Sequence, residues 1–150
     1  MARSRNRKAM YAFQVDPAFG SGSVAGVDWP LCHVRVQDDA RFPWLILIPR
    51  HPGLHELEDL DPAGRASLIE EIASAGQQVR AIGALTGRPV EKLNVAALGN
   101  VTPQLHVHVV GRRHDDGLWP DPVWGRGVAT PWDAPTLQRI LSGLRLSGGG

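Results

Sequence analysis

Residues capable of chemistry gather in one short run, Gln104-Leu105-His106-Val107-His108-Val109-Val110. A strand repeats its side-chain direction every two residues. Gln104, His106 and His108 therefore fall on one face, and Leu105, Val107 and Val109 on the other, which is apolar enough to belong to a core. Imidazole titrates near neutral pH and serves as nucleophile, proton carrier, hydrogen-bond donor or metal ligand. Just ahead, Gly99 and Asn100 lie in a loop able to turn backbone N–H groups toward an anion without lysine or arginine. Two imidazoles beside such a loop suit phosphorus chemistry. An incidental pair and a metal site are the other readings. Zinc would need further ligands from His33, His51, His55, His114 or Cys32, and none of these has a ligand-like spacing with a second cysteine.

The elements that must position this run can be read around it. Residues 31–36 alternate, with Cys32, Val34 and Val36 on one side and His33 and Arg35 on the other, which predicts a half-buried strand with His33 toward solvent. Asp38 and Asp39 supply a turn, and residues 44–48 form an apolar run of central-strand length ended by Pro49. The pair makes a hairpin and points to an antiparallel sheet. Asp61 as N-cap and Pro62 in the first turn open a long helix. Leu68, Ile72, Ala75, Val79 and Ile82 recur on its inner face until Gly87 ends it, and Arg65, Glu70, Glu71 and Arg80 are expected to be solvated. Residues 92–97 resume strand character, residues 98–103 break it, and residues 104–110 restore alternation. Asp133 and Pro135 then open a short C-terminal helix. The class is α+β.

Composition bounds the rest. A chain of 150 residues, 43% hydrophobic and 21% charged, fits one domain. We place that domain at residues 29–146, after an N-terminal extension at residues 1–28 whose glycine-rich patch at 20–26 reads as loop, and before a flexible tail at 147–150. Sixteen Lys and Arg against fifteen Asp and Glu leave a formal charge of +1, so no nucleic-acid or membrane partner is expected. The basic residues 2–8 read as a solvated terminus. One cysteine, with no apolar run of signal or membrane length, predicts a cytoplasmic, reduced protein. Trp119 and Trp124 are separated by prolines and are expected to clamp the tail onto the core or a second subunit, with base stacking as the other reading.

Residues 104–110 resemble the signature of the histidine triad (HIT) family, in which histidine alternates with apolar residues three times and two apolar residues follow. Gln104 stands at the first histidine position. The Asp38-Asp39 turn, the strand ending at Pro49, the helix from Asp61 to Gly87 and Asn94 come in the family's order, and residues 119–125 look like the tail of a bacterial branch that carries glutamine at the same place. The resemblance implies an antiparallel sheet of about five strands with one long helix and a short C-terminal one. It also implies a homodimer and a purine nucleotide as substrate. His106 would attack an α-phosphorus and form a nucleotidyl-histidine, and His108 would hydrogen-bond the phosphate oxygens. Asn94 and Asn100 match polar residues on the ribose and phosphate side; Asp38 and Arg112 are further candidates for the ribose and the phosphate. No tightly bound cofactor and no protein-held metal is implied, although a divalent cation can accompany the nucleotide. Trp44 stands where many relatives have another histidine. With Gln104, it removes titratable groups, which favours dinucleoside polyphosphates over phosphoramidates, whose amine leaving group needs a proton. A nucleotide-binding regulatory protein without turnover is the second class of function these departures allow.

Overall fold

The apolar run at residues 44–48 becomes the middle of a sheet, as its composition requires. The computed structural model describes residues 12–147, so the basic segment at 2–8 and the closing glycines at 148–150 lie outside the described residues. Five strands, β1 (Ser23–Asp28), β2 (Cys32–Gln37), β3 (Trp44–Pro49), β4 (Lys92–Ala96) and β5 (Val107–Arg112), pair antiparallel in the order β1-β2-β3-β5-β4. Two helices, α1 (Pro62–Leu85) and α2 (Ala134–Ser147), complete an α+β fold. Strands β3 and β5 are buried at all six positions because both of their faces are covered.

Pleating sorts their residues into two layers. Leu45, Leu47, Val107 and Val109 point toward the helices and join Leu68, Ala75, Val79, Ile82, Ile140 and Leu144 in the main core. Trp44, Ile46, Ile48 and Val110 point the other way, into a second cluster closed by Phe19 from the N-terminal segment and by Val123 and Trp124 from the segment after β5. His108 pairs with Ile46 across β3 and β5 and therefore belongs to this second face.

The helix signals hold. The Asp61 carboxylate accepts the Gly64 N–H at 2.7 Å, Pro62 occupies the first turn, and Gly87 adopts φ +72° just past the end, a backbone state that suits a residue without Cβ. Asp133 caps α2 through the Thr136 N–H and hydroxyl, both at 2.9 Å.

Two expectations fail. Residues 23–28, placed in the N-terminal extension with its loop at 20–26, are edge strand β1. Gly26 marks a bulge where the register shifts between Ala25 and Val27, and a Cβ there would stand 2.8 Å from the Val34 carbonyl oxygen. Glu71 is not solvated: only 9% exposed, its two oxygens accept the Leu31 and Cys32 N–H groups at 2.8 Å and fix the entry to β2. His33 lies on the less buried face of β2, as the alternation predicts, held in a side-chain chain, Nδ1 to Asp28 at 2.6 Å and Nε2 to Arg35 at 3.2 Å.

Candidate active site

Residues 104–106 lie just before β5, not inside it. The Leu105 N–H goes to the Leu54 carbonyl oxygen, so the alternation visible in the sequence continues past the point where the ladder begins. The backbone nevertheless delivers His106 and His108 to the same face, with ring centroids 4.9 Å apart and planes at 78°. Both side chains are largely buried, at 7% and 9% exposed.

Each imidazole has a tautomer set by its partner. His106 Nδ1 lies 2.6 Å from the Gln104 carbonyl oxygen. A carbonyl only accepts, so Nδ1 carries the proton and Nε2 presents its lone pair. His108 Nδ1 lies 3.0 Å from Trp44 Nε1. An indole N–H only donates, so Nδ1 is the acceptor and the neutral ring carries its proton on Nε2. Burial, reinforced by the charge His106 would carry, pushes the His108 pKa down from 6.5 to about 4, so this ring is neutral at physiological pH. The two neighbouring rings thus carry opposite equipment on Nε2, a lone pair on His106 and an N–H on His108.

Gln104 lines the cleft beside His106, and its amide is bonded to the N-terminal segment. Its oxygen accepts the Asp16 N–H at 2.8 Å, and its nitrogen donates to the Gln14 carbonyl at 2.8 Å. The amide therefore straps the N-terminal segment across the sheet face, and Phe19, carried on a 3-10 turn at Pro17–Ser21, sets its ring edge-on to His106 at 4.8 Å. Nothing in the glycine-rich composition announced this wall; Asp16 ahead of Pro17, a turn-opening pair, was the available signal. Gln104→Ala is expected to cost about 1 kcal/mol in urea unfolding, from the loss of one part-buried and one exposed hydrogen bond, and to speed proteolysis between residues 13 and 21. An unchanged midpoint and cleavage rate would remove the strap role.

On the far side Trp124 packs edge-on to His108 and to Trp44, at 5.6 and 6.0 Å, and its buried indole N–H has no partner among the described residues. The clamp expected of this tryptophan is thus present, and it closes the face that carries both histidines. Trp119 instead stacks beside His114 at 4.4 Å.

A cleft of about 160 Å³ opens beside His106, between the loop carrying Gly99 and the segment carrying His55 and Leu57. Gly99 adopts φ +72° there, and Asn100 follows it, exposed. The other candidates are placed elsewhere. Arg112 is 1% exposed and spends its guanidinium on Asp116, Asn94 and the Asp121 carbonyl, so it is not available to a phosphate, and Asn94 uses its carbonyl oxygen on the same guanidinium at 3.0 Å. Asp38 sits at the end of the sheet away from His106, where its carboxylate accepts the Trp132 N–H at 2.8 Å; it anchors the C-terminal segment instead of standing ready for a ribose. Among the other histidines, only His55 shares the cleft with His106; His114 pairs with Glu91, and His51 is exposed in its loop. Cys32 is buried, and burial raises its thiol pKa far above the ordinary range, with the Glu71 charge acting in the same direction.

The HIT domain model matches residues 23–115. The fold is similar to that of a histidine triad protein from Bradyrhizobium japonicum, with 39% identity over 91% of this chain and 98% of that one and a TM-score of 0.83. It is also similar to a histidine triad protein from Sinorhizobium meliloti 1021, with 35% identity over 90% and 96% of the two chains and a TM-score of 0.80. A third, from Marinobacter aquaeolei VT8, is 31% identical over 91% and 96%, with a TM-score of 0.79. No curated protein matches. The match begins at the first residue of β1, takes in both histidines, and agrees with the solved relatives over nearly their whole length; the chain belongs to the histidine triad family.

Proposed function

We propose that this chain hydrolyses dinucleoside polyphosphates through a nucleotidyl-histidine intermediate. His106 Nε2 attacks the α-phosphorus, the P–O bond to the remaining polyphosphate breaks, and the released nucleotide carries off the negative charge. Water then attacks the phosphorus, the P–N bond breaks, and a nucleoside monophosphate leaves with the imidazole restored. His108 donates from Nε2 to a phosphate oxygen as charge accumulates there. The observation that carries this reading is the His106 Nδ1–H bond to the Gln104 carbonyl, which frees Nε2 as a nucleophile.

The leaving group follows from what is missing. Gln104 is an amide and cannot give up a proton, and His108 is neutral, so an amine would depart without an acid. A terminal phosphate, with a second pKa near about 6, departs unaided. We take Gln104 as the mark of a branch of the family with this preference. Glu56 and Glu58 line the cleft, so the polyphosphate enters with its own divalent cation screening it. Gly99 and Asn100 supply the loop that receives the phosphates.

A second copy of the chain completes the assembly we propose. Strand β4 is a sheet edge, and Ile69 and Val95 beside it are 62% and 49% exposed around an apolar groove between α1 and β4. Sedimentation should give a dimer that Ile69→Glu converts to monomer; a monomeric wild type ends that part of the proposal.

The test of the reaction is quenched-flow turnover of a dinucleoside tetraphosphate by wild type and His106→Ala. A nucleotidyl-protein adduct in wild type that vanishes in the variant is the expected result. Tight nucleotide binding without turnover in either protein would replace the hydrolase with a nucleotide-binding regulatory protein.

A further inference from the structure

We infer that Trp44 is a positioning residue that locks His108 in its Nε2–H tautomer, so that His108 meets the substrate as a hydrogen-bond donor without carrying a charge. What the donor is used for rests on the reaction proposed above; the lock itself does not.

The argument is geometric. Trp44 pairs with Val110 and His108 with Ile46, which puts the two side chains diagonally across neighbouring strands on one face. Their nitrogens meet at 3.0 Å with Trp44 6% exposed, so neither ring has water to turn to. If His108 carried its proton on Nδ1, two N–H groups would face each other at that distance and the buried indole would lose its acceptor. Only the Nε2–H form satisfies both rings. Trp124 closes the other flank edge-on and holds the imidazole plane.

An indole does this differently from any titratable group. It neither gains nor loses charge with pH, so the lock holds across the range in which a carboxylate or a second imidazole would switch. The elements packed on His108 keep the environment apolar: β3 brings Trp44 and Ile46, β4 brings Ala96, and the C-terminal segment brings Trp124. His106 is the one titratable group whose charge bears on it.

Nitrogen-15 NMR of histidine-labelled protein tests the lock without any substrate. Wild-type His108 is expected to show a protonated Nε2 and an unprotonated Nδ1, unchanged from pH 8 down to about pH 5. In Trp44→Phe, which keeps a ring but removes the donor, the two nitrogen shifts should move toward each other, and kcat for the dinucleoside tetraphosphate should fall by about 10- to 100-fold, as is common when an orienting partner is lost, with KM little changed. Trp44→His restores a donor and should recover the tautomer and part of the kcat. Wild-type His108 protonated on Nδ1 overturns the inference directly, whatever the variants do. So does a Trp44→Phe protein that is folded with unaltered His108 shifts, which reduces Trp44 to packing. The expected tautomer in a wild type without turnover supports the lock and sinks the hydrolase reading instead.

Discussion

His106→Ala is expected to lower kcat on a dinucleoside tetraphosphate by roughly four to six orders of magnitude and to abolish the nucleotidyl adduct, while His108→Ala is expected to lower it by about 10²- to 10³-fold and leave a slowly formed adduct. The difference in size follows from the tautomers. His106 presents the lone pair that makes the new bond, so its loss removes the pathway. His108 presents one N–H, and loss of a single donor costs what one hydrogen bond to a developing oxyanion is worth. Rapid-quench measurements separate adduct formation from its hydrolysis and show whether His108 acts in one step or both. Equal losses in the two variants, with no adduct in either, would mean that the histidines act as a unit that binds without attacking. A persistent adduct in His106→Ala would move the nucleophile elsewhere, with His55 across the cleft the first position to examine.

The sequence made the scaffold more legible than the walls of the site. Helix α1 was readable because its signals are local: an aspartate cap, a proline in the first turn, an apolar stripe and a closing glycine. Strand β3 was readable because a strand covered on both faces must be apolar throughout. The alternation at residues 104–110 located the histidines and their common face, although it overran the true start of β5. What stayed hidden depends on partners far away in the chain. Strand β1 was masked by a glycine that serves a bulge. Gln104 looked like a catalytic substitution, yet its amide is tied to the backbone of residues 14 and 16, some ninety positions earlier. Glu71 and Arg112 read as solvated or available charges because burial of a charge is decided by the groups that converge on it, and periodicity carries no record of those.

Asp116→Asn is expected to destabilise the fold by about 3–5 kcal/mol, because it leaves the Arg112 cation buried without a counter-charge. The carboxylate sits 2.7 Å from Arg112 Nε and also gathers the N–H groups of Leu118 and Trp119 at 3.0 and 2.9 Å, so one side chain neutralises the guanidinium and shapes the turn after β5. That turn leads to Trp124, which is how an ion pair outside the cleft comes to support His108. The pH dependence has a definite sign. Burial alone would raise the Asp116 pKa, but the hydrogen bonds from Arg112 and from the Leu118 and Arg113 N–H groups outweigh it and bring it from 3.8 to about 2. A depressed folded-state pKa means that the stabilisation is complete above pH 3.8 and is lost as pH falls toward 2. His108 adds a separate loss at higher pH: its folded-state value of about 4 against 6.5 makes its neutral form a contributor of roughly 3 kcal/mol that fades as pH drops from 6.5 through 4. Urea midpoints measured from pH 7 to 2 should therefore fall in two stages. Asp116→Asn should shrink the lower stage, to which the other depressed carboxylates, Asp39 among them, also contribute, and His108→Ala should remove the upper. Replacing the pair together, Asp116→Asn with Arg112→Leu, should recover part of the loss, since the unpaired charge leaves with the arginine. If the double variant is as unstable as the sum of the two singles, the cost lies in the packing of Arg112 against the Phe42 and Trp119 rings and not in the ion pair.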